Sequence, residues 1–235
     1  MNMGRKPFSL IVLALTSTLA LPGAAETIAV IGTGNVGGAL GPEFAAQGHT
    51  IVYGSREPRR ADVVELVART GNGASAASPA QAVEDAAIVV LAVPGTAAVD
   101  IARGLGNLSG KILLDPTNVV SRDAGYPMHG VDGKGSNAQM IQDVQPGARV
   151  VKAFNTLNYR QMVDPETAGG PITIPLAGDD AQAKAVIAEL VEGMGLEAVD
   201  VGPLAYAHIL EEMLVMWANS IGTDHAWNYY LRPMP

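Results

Sequence analysis

The 235-residue chain contains no cysteine, which excludes a disulfide framework, a thiolate metal site and a cysteine nucleophile in any compartment. Positive charge is scarce, with 15 Lys and Arg against 23 Asp and Glu, for a net charge of −8. A nucleic-acid binder presents a basic face, and the only local concentration of positive charge is Arg56, Arg59 and Arg60. The four histidines, His49, His129, His208 and His225, lie far apart without close ligand spacing, which argues against a metal site. Internal repeats, linkers and low-complexity tracts are also lacking. The apolar run Phe8–Leu21 is 14 residues long, whereas a helix crossing a hydrocarbon core of ~30 Å needs about 20.

That run fits a different pattern. Arg5 and Lys6 precede it, and Pro22-Gly23-Ala24-Ala25 follows, with small residues placed for cleavage before Glu26. Together these form the three-part secretory signal. The expectation is a signal peptide over residues 1–25, cleaved near Ala25, and an exported, periplasmic protein of residues 26–235 with no stable membrane span. Left uncleaved, the run would act as a membrane anchor. Gly4-Arg5-Lys6-Pro7-Phe8 loosely resembles the twin-arginine export motif, although Lys6 also reads as an ordinary n-region charge.

From Glu26 onward, apolar β-branched runs alternate with Ala-rich stretches, the pattern of a parallel sheet wrapped by helices. The expected strands are 28–32, 50–54, 87–93, 111–115, 149–154, 172–178 and 197–201. Most are apolar throughout, as strands buried on both faces are. Ser78-Pro79-Ala80-Gln81 and Ser136-Asn137-Ala138-Gln139 match the capping box that starts a helix. Asp179 or Asp180 can cap a helix that Gly193 and Gly195 end, and Pro203 opens a last helix to about Ser220. Residues 123–135 read as a long loop. The fold class is α/β: a doubly wound Rossmann-type parallel sheet with a C-terminal strand and helix extension.

Gly32-Thr33-Gly34-Asn35-Val36-Gly37 follows the first strand and opens a helix, in the order a dinucleotide site requires. Gly32 permits the tight turn, Gly34 lets backbone approach a pyrophosphate, and Gly37 lets helix pack on sheet. The helix N-terminus offers unpaired N–H groups to phosphate. An NAD site ends the second strand with an acid that holds the ribose hydroxyls. This chain has Ser55-Arg56 there instead, with Arg60 close behind. A hydroxyl and guanidinium groups bind the 2′-phosphate that a carboxylate would repel, which favours NADP(H).

The segments IGTGNVGGALG (31–41), YGSREP (53–58), VVLAVP (89–94), DPTN (115–118), ARVVKAFNTL (148–157) and GDDAQAKAVIAELVEGMG (178–195) occur in register with VDVGPL (199–204). In these the chain resembles the NADPH-dependent deazaflavin reductases, relatives of the oxidoreductase domain of the six-transmembrane epithelial antigen metalloreductases. The resemblance implies pyrophosphate contacts from Thr33, Asn35 and Val36, and a 2′-phosphate site at Ser55, Arg56 and Arg60. It implies a nicotinamide near Val93-Pro94 and Ala153-Phe154-Asn155, with a small-molecule redox ligand, a deazaflavin or flavin, stacked over it.

Asn118 and Asn155 lie at strand ends, where ligands bind in open α/β sheets, although Asn155 also reads as a strand-end cap. Lys152 reads either as reaching a ligand phosphate or as snorkelling to the surface. Asn155 and His208 are the candidate catalytic residues, with Glu211 and Glu212 beside the latter. The spacing of Ile209, Met213, Met216 and Trp217 instead predicts a helix that packs this stripe on the core. The tail 227–232 either covers the second ligand or closes the core.

Two other glycine-loop families fit less well. A β-hydroxyacid dehydrogenase carries a lysine on the helix after its nucleotide domain, and the stretch from Pro203 has none; a pyrroline-carboxylate reductase continues into a longer helical domain. The rival of a different class is a non-catalytic exported NADP(H)-binding or sensing protein. The reading leaves a homodimer open.

Overall fold

The computed structural model of the chain describes residues 25–118, 135–170, 172–220 and 230–232. Residues 1–24 of the signal segment and almost all of the 123–135 loop lie outside the described residues, as do residues 227–229 of the tail. The described chain begins with β1 (Thr27–Ile31), α1 (Asn35–Ala46), β2 (Thr50–Gly54), α2 (Ala61–Thr70), β3 (Ser75–Ala77) and α3 (Pro79–Ala82). There follow β4 (Ile88–Leu91), α4 (Ala98–Gly104), β5 (Ile112–Asp115), α5 (Asn137–Val144), β6 (Arg149–Lys152) and α6 (Tyr159–Val163). The chain continues with β7 (Thr173–Gly178), α7 (Ala181–Gly193), β8 (Glu197–Gly202) and α8 (Ala207–Ser220).

The sheet runs β3-β2-β1-β4-β5-β6-β7-β8. Its first six strands are all parallel and have the doubly wound dinucleotide-binding order. Successive side chains of a strand point to opposite faces, so each central strand feeds two cores. Ile28, Val30, Ile88 and Val90 pack with α1, α2, α6 and α7 on one face. Ala29, Ile31, Val89 and Leu91 pack with α3, α4, α5 and α8 on the other. That double burial is why these strands read as continuous apolar runs.

β7 pairs antiparallel to β6, a departure from the wholly parallel pattern of the alternating runs. A parallel partner requires a crossover to the far end of the sheet. The five residues of α6 rise only about 8 Å and pack against α1 instead. The chain therefore stays at the C-terminal edge of the sheet and starts β7 there. The thirteen-residue α7 does cross over, and β8 is parallel to β7.

β3 and α6 were not expected. The Ser78 and Ser136 starts carry their caps: both bonds of the capping box form at Ser78, and Ser136 accepts from the Gln139 N–H. Asp180 caps α7 through the Ala183 N–H at 2.7 Å, while Asp179 takes the Leu204 N–H at 2.9 Å. The last helix begins later than Pro203, after a 3-10 turn over Leu204–Tyr206.

Its buried face also differs from the expected stripe. Ile209 and Met216 are 50% and 59% exposed, whereas Ala207, Leu210 and Glu211 are buried. The stripe drawn by apolar spacing is rotated off the true inward face because that face contains a glutamate. Among the described residues, no helix is long and apolar enough to cross a membrane.

Candidate functional site

Two cavities meet at the C-terminal edge of the sheet. The first, about 680 Å³, runs from Ser55, Arg56 and Arg60 past the glycine loop to Val93, Pro94, Pro116 and Thr117. Gly32 has φ +104°, and a Cβ there would run into the Ala92 carbonyl. A Cβ on Gly37 would strike the Gly32 carbonyl, so this glycine lets α1 start close against the turn. Gly34 has nothing within 4 Å of its Cβ position, and its open side is cavity. No side chain caps α1 and no acid stands in its first turn, so the N–H groups of Asn35 and Val36 remain open to an anion.

At the other end, Ser55 is 7% exposed; its N–H donates to the Ala77 carbonyl of β3 at 2.9 Å and its hydroxyl accepts from Glu57 N–H. The short β3 strand thus seats the serine. Arg56 is exposed and makes no hydrogen bond or ion pair among the described residues. Arg60 is engaged by Asp62 through Nε at 2.5 Å and Nη2 at 2.9 Å. The Arg60 hydrogen bonds hold the Asp62 carboxyl below the usual carboxylate range. The two guanidiniums therefore differ: Arg56 is available, and Arg60 already holds an anion.

The second cavity, about 460 Å³, is walled by Asn118, Phe154 and Asn155 from the ends of β5 and β6, by residues 156–162, by Leu214 and Trp217 of α8, and by Tyr230. Phe154 turns the chain with φ +61°. Asn35, Val36 and Pro116 line both cavities, so the two adjoin at these residues.

Of the expected residues, Gly32, Thr33, Gly34, Asn35, Val36, Ser55, Arg56, Arg60, Val93 and Pro94 line the first cavity. Asn118 and Asn155 line the second rather than the first. Ala153 is fully buried and lines neither. Asn155 is 3% exposed; its amide donates to Asn118 Oδ1 at 2.9 Å and to the Leu210 carbonyl at 2.7 Å. It joins strand end to helix, more than a local cap. His208 is half-buried, has Nδ1 2.6 Å from the Ala205 carbonyl, and lines neither cavity.

Lys152 follows neither of its expected readings. It is fully buried, 2.7 Å from Asp115 and 2.6 Å from Glu211, because a carboxylate from the last helix reaches it in the interior. Sequence reasoning also missed Pro116 and Thr117, although they stand beside Asn118 in one motif. It missed Leu214 as well, and it assigned Trp217 to the core. Among the described residues, no group of three potential ligands could hold a metal ion.

Residues 27–119 match the protein family described as NADP oxidoreductase, coenzyme F420-dependent. The F420-dependent NADP reductase of Methanothermobacter thermautotrophicus is 31% identical over 206 residues, covering 82% of this chain and 88% of that protein. Metalloreductase STEAP3 of Rattus norvegicus is 26% identical over 193 residues, 81% of this chain. The match spans only 37% of the length of that metalloreductase. Among solved structures, a protein of Arthrobacter sp. FB24 described as an F420-dependent NADP-reductase aligns with a TM-score of 0.77 at 32% identity, covering 89% of this chain and all of that one.

Proposed function

This chain belongs to the F420-dependent NADP reductase family, and on that premise we propose that it moves hydride between NADP(H) in the first cavity and a deazaflavin or flavin in the second. The observation that carries the reading is that Asn35, Val36 and Pro116 line both cavities. Ligands filling the two cavities would lie side by side at these residues.

The residues fit the nucleotide. The uncapped start of α1 and the open side of Gly34 suit a pyrophosphate. Ser55 and Arg56 suit a 2′-phosphate, and no carboxylate lines that end of the cavity among the described residues. When bound, NADPH supplies the hydride carried on its nicotinamide ring. The chain's contribution is placement. Val93 and Pro94 wall the far end of the first cavity, and the aromatic residues Trp217 and Tyr230 line the second. Direct transfer between stacked rings depends on position more than on an acid or a base. The position of His208 outside both cavities is compatible with that chemistry.

The test is turnover of the purified protein with NADPH and, in turn, coenzyme F420, FMN and a ferric chelate. Oxidation of NADPH with stoichiometric loss of the F420 or FMN absorbance is the expected result. Tight NADPH binding with no turnover of any acceptor would overturn the enzyme reading in favour of a nucleotide-binding or sensing protein. Export through residues 1–25 is part of the proposal and rests on the sequence pattern alone. It predicts a periplasmic protein whose first residue is Glu26, to be read by fractionation and mass spectrometry.

A further inference from the structure

On either side of Pro116, which lines both cavities, stand two of the three partners of the Lys152 ammonium: Asp115 Oδ2 at 2.7 Å and the Thr117 carbonyl at 2.6 Å, the third being Glu211 Oε1 at 2.6 Å. The Thr117 carbonyl accepts a hydrogen bond from the ammonium, and the two carboxylate oxygens pair with its charge at ion-pair distance without a hydrogen bond. Residues 152, 115 and 211 are at most 2% exposed. Apolar residues of similar volume would fill this space without desolvating charge, and such replacements are often neutral or stabilising. They could not grip a backbone carbonyl.

Each partner belongs to a different part of the site. Asp115 ends β5 and accepts the Thr117 N–H at 2.8 Å. Thr117 lines the first cavity. Glu211 lies on α8, within two turns of Leu214 and Trp217, which line the second. Asn155 ties the same helix through the Leu210 carbonyl.

We propose that Lys152 is a positioning residue that sets the spacing of the two cavities by clamping Thr117 and α8 to one point. The proposal rests on the reading that the second cavity holds the hydride acceptor. Its test is the variant Asp115→Asn/Lys152→Met/Glu211→Met, made in a Trp227→Phe background so that Trp217 is the remaining tryptophan of the two in the chain. The variant should melt no lower than its parent and bind NADPH within about threefold of it. Its Trp217 emission should shift, and its hydride transfer to F420 should slow at least about tenfold, with a primary isotope effect from 4-deuterated NADPH. Glu211→Gln, which keeps an acceptor oxygen, should stay within about threefold of the parent, and Glu211→Met should not.

Parent-like transfer and parent-like Trp217 emission in the triple variant would overturn the proposal. If the triple variant does not fold, the contrast between Glu211→Gln and Glu211→Met decides. A parent that fails to reduce F420 refutes the functional reading instead, and Trp217 emission still decides the clamp.

Discussion

Replacing Arg56 by alanine removes the one guanidinium at the Ser55 end of the first cavity that holds no anion among the described residues. Two opposite unit charges ~4 Å apart gain about 1 kcal/mol in bulk water and about 4 kcal/mol at an effective permittivity of 20. Arg56 is exposed, which places its contact with a 2′-phosphate in the lower part of that range. A loss of about 1.5–2 kcal/mol corresponds to roughly 10- to 30-fold in Kd. Arg60 makes up little of the deficit, because Asp62, bound through both Nε and Nη2, already offsets its charge. NADH lacks the phosphate, so its affinity should change by less than about twofold. Calorimetric titration of wild type and variant with both nucleotides measures the four constants. The wild-type preference for NADPH should shrink as salt rises from ~0.05 to ~0.5 M, because the screening length shortens. Equal wild-type affinities for NADPH and NADH, or equal losses of both in Arg56→Ala, would refute the 2′-phosphate assignment.

Gly34→Val should abolish binding of either nucleotide while leaving the melting temperature within a few degrees of wild type. Its side chain would enter open cavity rather than packed core, and normal NADPH affinity in calorimetry would place the site elsewhere. Tyr53→Phe should cost about 1 kcal/mol at neutral pH, because the phenol hydrogen-bonds Thr70 Oγ1 at 2.8 Å in the core. Burial holds the Tyr53 phenol above its ordinary pKa. The folded state thus keeps a proton that the unfolded chain loses near pH 10. The stabilisation is complete below that pH and is lost as pH rises through the folded value. Denaturant titrations should show a steeper alkaline decline in wild type than in Tyr53→Phe, and identical slopes would count against the assignment.

The glycine loop was legible because its meaning is local: strand, glycines and helix follow one another within a dozen residues, and backbone sterics dictate each glycine. β1 and β4 were legible because burial on both faces makes them nearly continuous apolar runs. β3 was not, since Ser75–Ala77 is three small residues without a fully buried side chain, and its role is to accept the Ser55 N–H through a carbonyl. Lys152 was misread because its partner on α8 is far off in the chain, and a strand lysine carries no local sign of a buried acid. The same pair explains the error on α8. Spacing of apolar residues put Ile209 and Met216 inward, whereas the helix turns Glu211 to the sheet. The second cavity was legible in part: Asn118 and Asn155 stand at strand ends, but Leu214 and Trp217 join them through tertiary packing alone.

The central claim is direct hydride transfer between ligands in the two cavities, which adjoin at Asn35, Val36 and Pro116. The most direct test follows the label from NADPH deuterated at either face of nicotinamide C4, in single turnover with excess protein and coenzyme F420, by mass spectrometry of the reduced acceptor. The account predicts that deuterium from one face is recovered almost completely in the acceptor, and that deuterium from the other face stays on the nucleotide. Reduced acceptor carrying only solvent hydrogen, whichever face was labelled, would contradict it.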